Sequence, residues 1–303
     1  MGSKQRLQLS IIPSYFCNYN CEYCYLGKLR SDKTLLPLNT LLNRMQELEQ
    51  EHFIDHITVY GGEISLLSKE YIQELYNFIQ SYKVTFVTNL SNDWLVDFCK
   101  EKNIHLSISL NEERQYYDKT LTKLLEMEKT SNMDLSIVVL PSILKTPVSE
   151  LLSLYEKIGL DVFFIQYHPS ILSKVNYQIT EDEYSNFLYN IIKETKEHSY
   201  NINIGNMEIF KDNDYKPTAD NFIFINPNGK FSSVKYVNGV EQPIEFSTLK
   251  DWKEFCNAEK KWYFDNCQFC EYYNKCKAEH LVQLDKKECS GLYTLLKKIN
   301  TFI

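Results

Sequence analysis

The 303-residue sequence predicts an α/β fold: a partial (β/α)6 TIM-like barrel with a C-terminal extension. Three observations carry this. Strand-like and helix-like segments alternate regularly from Leu7 to His198. The intervening helices are long enough for right-handed crossovers between parallel strands. Beyond residue 200 the alternation stops and cysteines gather instead. Six β/α units fit an open barrel better than a closed eightfold one. The expected division is 7–200 for the barrel and 201–303 for the extension.

The elements follow in order. Leu7–Ile12 is an apolar run of strand length, and Leu38–Glu51 has helical periodicity. Ile57–Tyr60 is the second strand; the helix after it, Ser68–Ser81, takes Ser68 as its N-cap. Lys83–Thr88 and Asp93–Lys102 form the third unit, and Ile104–Leu110 and Tyr116–Thr130 the fourth. The strand Leu135–Leu140 is stopped by Pro141, and the helix Ser149–Ile158 is closed by Gly159. Val162–Gln166 and the long helix Glu181–His198 complete the sixth unit. Then Asn221–Lys235 reads as a hairpin turning at Asn228-Gly229. A short charged helix near Asp251–Lys261 and a last helix near Leu292–Ile299 follow.

Composition narrows the function classes. A hydrophobic fraction of 44% is ordinary for a chain with a real core. The net charge of −7 offers no basic face, so nucleic acid is not the expected partner. No stretch reaches the roughly 18–20 apolar residues that span a bilayer, and the N-terminus lacks a signal-peptide core. The nine cysteines cluster at 17/21/24 and 256/267/270/276/289, with Cys99 alone. In a reducing compartment such clustering reads as metal ligation, so the expected location is the cytoplasm, with no membrane partner.

Cys17, Cys21 and Cys24 have the spacing C-x3-C-x2-C directly after the first strand. Soft thiolates select iron–sulfur clusters or zinc. A structural zinc needs four protein ligands, and no fourth Cys or His lies close by; His52 and His56 are the nearest. Three thiolates on one loop instead hold three irons of a cubane and leave the fourth open to a small molecule.

This motif, with Tyr23 at its aromatic position, resembles the signature of radical S-adenosylmethionine (SAM) enzymes. Gly61-Gly62-Glu63 after the second strand resembles the family's GGE element, which receives the SAM amino group. Ser109 and Asn111 at the end of the fourth strand resemble its ribose- and carboxylate-binding strand end. The resemblance implies a partial barrel, a [4Fe-4S] cluster on the three cysteines, and SAM bound by Tyr23, Gly61, Gly62, Glu63, Thr88, Asn89, Ser109, Asn111 and Gln166. Ligands in such folds bind at the C-terminal ends of strands, where all these residues fall; His168 falls there too.

Cys267, Cys270, Cys276 and Cys289 form C-x2-C-x5-C-x12-C. On spacing alone, four thiolates suit a structural zinc or a fully ligated cluster. The family's SPASM extension has C-x2-C-x5-C-x3-C and a later cysteine. The resemblance therefore implies a second [4Fe-4S] cluster on these four residues, in a C-terminal auxiliary iron–sulfur cluster extension. The chain departs from that pattern where His280 replaces a cysteine and Val234 stands where Gly229 would be followed by one. A single auxiliary cluster, as in the shortened Twitch form, is the implication. Cys256 is the one thiol singled out as a possible hydrogen donor to a substrate radical.

SPASM-type relatives mostly modify peptides. The resemblance thus implies hydrogen abstraction from a ribosomally made precursor peptide, leading to a crosslink, thioether or epimerised residue. The alternatives are a small-molecule radical SAM dehydrogenase or cyclase with one auxiliary cluster and, in a different class, a non-catalytic metal-binding scaffold. An electron donor such as flavodoxin or ferredoxin is the implied partner. With the first strand at Leu7, peptide recognition is expected from the barrel mouth, the extension or a separate protein. The enzyme is expected to be monomeric.

Overall fold

The computed structural model describes residues 4–207, 219–237, 240–273 and 293–299. Its first strand, β1 (Gln5–Ile11), is followed by α1 (Leu38–Glu49), β2 (His52–Val59) and α2 (Lys69–Ile79). Next come β3 (Lys83–Thr88), α3 (Trp94–Lys102), β4 (His105–Ser109) and α4 (Tyr117–Glu126). After β5 (Met133–Val139), the short α5 (Pro141–Lys145) precedes α6 (Val148–Ile158). β6 (Asp161–Gln166) and α7 (Glu181–Glu197) end the repeating part. The chain then adds β7 (Phe222–Ile225), β8 (Phe231–Val237), β9 (Val240–Phe246), α8 (Leu249–Cys267) and α9 (Tyr293–Ile299).

All these strands share one sheet in the order β6-β5-β4-β3-β2-β1-β7-β8-β9. The first six are parallel, as the α/β pattern requires. β7 also pairs parallel to β1, while β8 and β9 are antiparallel. Sheet pairing therefore does not break at residue 200. Ile204 bridges to Val162, and Asn206 exchanges two hydrogen bonds of 2.8 Å with the backbone of Phe164. The hairpin turning at Gly229 is present, but it continues into a third strand.

Alternation along the strands separates two environments. One face carries Ile57, Val59, Phe86, Leu106, Ile108, Leu135 and Ile137 into the core. There Leu41, Met45 and Leu48 of α1 and Ile72, Leu75 and Ile79 of α2 meet it at helical spacing. The opposite face places Thr58, Thr85, Ser107 and Ser136 around a cavity of about 880 Å³. Ser107 donates to Asp134 at 2.6 Å, so the polar lumen is internally hydrogen-bonded.

The far edges of the sheet meet. The Glu241 N–H donates to the Pro169 carbonyl at 2.7 Å, and the Ile171 N–H donates to the Glu241 carbonyl at 3.1 Å. β9 thereby touches the segment that follows β6, and the C-terminal part is built into the rim.

The charged helix is longer than expected. α8 runs for 19 residues and ends on Cys267, with a capping box of Thr248 and Asp251 at its start. Trp252 anchors it, fully buried and edge-on to His52 at 5.6 Å. Among the described residues no helix is long and apolar enough to cross a membrane. Trp252→Ala should cost about 3–5 kcal/mol in urea unfolding, because it opens a large cavity under α8. Phe53→Ala, at a side chain 56% exposed, should stay within about 0.5 kcal/mol.

Candidate cofactor site at the barrel mouth

The loop after β1 carries Cys17, Cys21 and Cys24, none of them in a disulfide. It is held from three sides. The Cys17 N–H donates to the Arg30 carbonyl at 3.0 Å, closing the loop on itself. The Gly62 and Glu63 N–H groups donate to the carbonyls of Ser14 and Phe16 at 3.0 and 2.8 Å. From the segment after β6, the Lys174 and Val175 N–H groups donate to the Glu22 carbonyl, and the Ser173 hydroxyl reaches the carbonyls of Tyr23 and Cys24.

Gly61 and Gly62 permit the second contact. Gly61 sits at φ +134°, and a Cβ on Gly62 would lie 2.1 Å from the Phe16 carbonyl oxygen. Any side chain at Gly62 would push the cysteine loop off the end of β2.

Glu63 is 2% exposed and has three donors. Its Oε1 accepts from the Ser65 N–H at 3.0 Å and the Thr88 hydroxyl at 2.6 Å; its Oε2 accepts from the Asn89 N–H at 2.6 Å. The carboxylate is thus a hub joining the ends of β2 and β3. Asn89 continues the chain of contacts, with its amide 3.9 Å from the Cys17 sulfur and 3.4 Å from Asn18 Oδ1.

The other residues singled out from sequence divide into two groups. Asn111 pairs with the backbone of Val138, donating at 2.6 Å and accepting at 3.3 Å, which fixes the end of β4 against β5. Ser109 ends β4 beside it. Tyr23 is buried and accepts a 3.0 Å hydrogen bond from Arg114 Nε. Gln166 is turned to α7, where it donates to Glu181.

Cys256 lies elsewhere. It is 2% exposed on α8, one turn from Trp252, which packs on His52 at the start of β2. One turn further, Lys260 pairs with Asp220, which accepts from Gln5 at the start of β1. That is the N-terminal end of the sheet, opposite the cysteine loop, and burial pushes the Cys256 thiol up to about 12. This placement argues against hydrogen donation at the mouth. At the C-terminus of α8 the Cys270 N–H donates to the Cys267 carbonyl at 2.9 Å, folding C-x2-C into one turn. Cys276, His280 and Cys289 lie outside the described residues.

Sequence reasoning missed Arg114, which follows β4 outside any motif. Burial opposes its charge, but Tyr23, Cys21 and Cys24 outweigh that effect and raise its pKa. Burial pushes the Cys17 thiol up to about 11 and Cys24 upward as well. Metal ligation reverses that preference, since a coordinating thiol is deprotonated. Among the described residues no three His, Cys, Asp or Glu side chains converge on a single-ion site. A cubane does not require that, because each thiolate takes its own iron. Three unbridged soft thiols beside the partly buried Arg114 guanidinium fit such a cluster.

A family model described as the Radical SAM superfamily matches residues 11–137. No curated protein matches the chain. Among solved structures, native anSMEcpe with bound AdoMet and Cp18Cys peptide is similar, with a TM-score of 0.70 at 16% identity, covering 98% of this chain and 96% of that one. Streptococcus suis SuiB bound to S-adenosylmethionine gives a TM-score of 0.64 at 18% identity over 95% and 76% of the two chains. At these identities the likeness is one of fold.

Glu63→Ala leaves three buried donors unmatched, so it should lower stability by about 3 kcal/mol or more in urea unfolding and weaken SAM binding together. Unchanged stability would contradict the hub. A second expectation concerns His168, whose pKa burial lowers to about 4. The unfolded chain then binds that proton more readily than the native one. His168's contribution to stability should be flat above about pH 7 and fall as pH drops from about 6.5 towards 4. Its imidazole NMR resonance should titrate below pH 5, and a midpoint above 6 would contradict the burial argument.

Proposed function

We propose, from the premise that residues 11–137 are a radical SAM domain, that this protein abstracts hydrogen from a peptide. The observation that carries the reading is the convergence of Cys17, Cys21, Cys24, Gly61–Glu63 and Asn89 at one mouth. When bound, a [4Fe-4S] cluster on the three thiolates supplies the electron that splits SAM into methionine and a 5′-deoxyadenosyl radical.

The chain's own residues bind and orient. Gly61 and Gly62 bring backbone close to the cysteine loop. Glu63 fixes that backbone and keeps an acceptor position on Oε2 for the SAM ammonium. Asn89, Ser109 and Asn111 offer polar atoms for ribose and carboxylate, and Tyr23, with Arg114 on its hydroxyl, walls the loop. Arg114 also offsets the negative charge that gathers when thiolates bind iron.

The peptide substrate is supported by the relatives: anSMEcpe has been seen with Cp18Cys peptide and SuiB with its precursor peptide SuiA. Post-translational modification of a ribosomally made precursor is the reading we favour, in a reducing cytoplasm and with a small redox protein as electron donor. Cys267 and Cys270, with Cys276 and Cys289, are proposed to hold a second, fully ligated cluster.

Anaerobically reconstituted protein should hold about eight irons and release 5′-deoxyadenosine from SAM under reduction. Replacing Cys17, Cys21 and Cys24 together by Ala should remove about half the iron and all the cleavage. Persistent cleavage would sink the assignment of the first cluster; about four irons in the parent protein would sink the second. Mass spectrometry of a co-expressed candidate peptide tests the substrate class.

A further inference from the structure

The net charge of −7 hides a basic face beside the cysteine loop. Lys28 and Arg30 stand on the 3-10 turn Gly27–Ser31, Lys33 follows it, and Lys174 comes from the segment after β6. All four adjoin the loop. Arg30 donates from Nη1 to the Cys21 carbonyl at 3.5 Å, and its own carbonyl accepts from the Cys17 N–H at 3.0 Å. Lys33 Nζ lies 4.9 Å from the ring centre of Phe16, the residue before Cys17. Lys174 Nζ donates to Asn20 Oδ1 at 2.8 Å, between Cys17 and Cys21. The Gly27 N–H donates to the Cys24 carbonyl at 3.0 Å, which seats the turn carrying Lys28 on the last cysteine. A Cβ on Gly27 would meet the Leu172 carbonyl oxygen at 1.8 Å, so the turn and the segment bearing Lys174 form one face.

These cations have no acid partners. Arg6, Arg44 and Lys123 are each paired with a carboxylate, but among the described residues none of the four loop cations is. Two acids share the loop, Glu22 and Asp32, and Asp32 accepts from the Thr34 N–H and hydroxyl at 2.8 and 2.7 Å. Four positive charges against two negative leave the face positive. Lys28, Lys33 and Lys174 are exposed, and Leu29 and Leu35 among them are 36% and 41% exposed. Apolar contact with a charged rim is the make-up of a transient protein interface.

What docks there is decided by what lies beneath. Electron tunnelling falls exponentially with distance, so a donor to the cluster must come close to the cysteine loop. Gly61–Glu63 and Asn89 occupy one side of that loop, and the exposed lysines mark its solvent side. Opposite charge on a partner steers the encounter and raises its rate. A phosphate backbone would meet the same charges but has no use for the two leucines. We propose that the face formed by Lys28, Arg30, Lys33 and Lys174 docks a small electron-transfer protein whose surface is acidic around its redox centre. One electron passes from that centre to the cluster. The donor is oxidised by one electron, the cluster is reduced by one, and no bond forms or breaks in the transfer. This rests on the cluster reading above.

The test gives reconstituted holoenzyme and SAM two reductants, a pre-reduced acidic flavodoxin and reduced methyl viologen, and reads 5′-deoxyadenosine release. The flavodoxin-driven rate should fall at least about tenfold between about 50 and 500 mM NaCl, while the viologen-driven rate stays within about twofold. In Lys28→Glu/Lys33→Glu the rate at limiting flavodoxin and low salt should fall at least about tenfold, with iron content and the viologen-driven rate at parent levels. Lys250→Glu, at a side chain 83% exposed on α8, should match the parent with both reductants. A flavodoxin-driven rate indifferent to salt would overturn the proposal without recourse to any variant. So would an unaltered rate in the double variant, an equal fall in Lys250→Glu, or a parallel loss with viologen, which would assign the lysines to the integrity of the loop. DNA retention that the double variant abolishes, with flavodoxin-driven cleavage unchanged, would overturn it in favour of nucleic acid. Cleavage with viologen but none with flavodoxin would defeat the docking face and leave the cluster reading standing. No cleavage with either reductant would defeat the cluster reading, and the docking face with it.

Discussion

Glu63 holds the mouth together through one buried charge. A carboxylate taken out of water must be compensated, and here three donors from two different strand ends do so. Removing any one would leave the charge under-satisfied, so the ends of β2 and β3 are obliged to stay in register. Because the Glu63 N–H also ties the residue to Phe16, the cysteine loop inherits that register. Asn89 then passes it on to the neighbourhood of the Cys17 sulfur. Cofactor geometry here is set by a hydrogen-bond network on strand ends, with the loop following.

The segment after β6 makes the complementary connection. Between Pro169 and Val175 it bonds to Glu241 of β9 on one side and to Glu22, Tyr23 and Cys24 on the other. The C-terminal hairpin and the cysteine loop are therefore linked through a few consecutive residues. A ligand that displaced this strap would loosen both. That coupling explains why the C-terminal strands belong to the same sheet as the barrel rather than to a separate unit.

The repeating part was legible because periodicity speaks to burial. Lys83–Thr88 has the bounds read from sequence, and Ser68 and Gly159 cap their helices as expected. The three-cysteine loop was legible because its ligands are local. What escaped was non-local. The pairing of β7 with β1 joins residues more than two hundred positions apart and leaves no local pattern. α8 was read as too short because its exposed charges mask the apolar stripe that Trp252 and Cys256 begin. Arg114 lies outside any motif, and only its surroundings distinguish it.

Charge balance gives Arg114 its meaning. Ligated thiolates and a buried Glu63 would together make the mouth strongly anionic, and low dielectric magnifies each charge. Arg114 is fixed by the Tyr23 hydroxyl beside two of the cysteines, so it answers the cluster's charge locally. Glu63 is answered by neutral donors, the Ser65 and Asn89 N–H groups and the Thr88 hydroxyl, so its charge is met within the strand ends themselves.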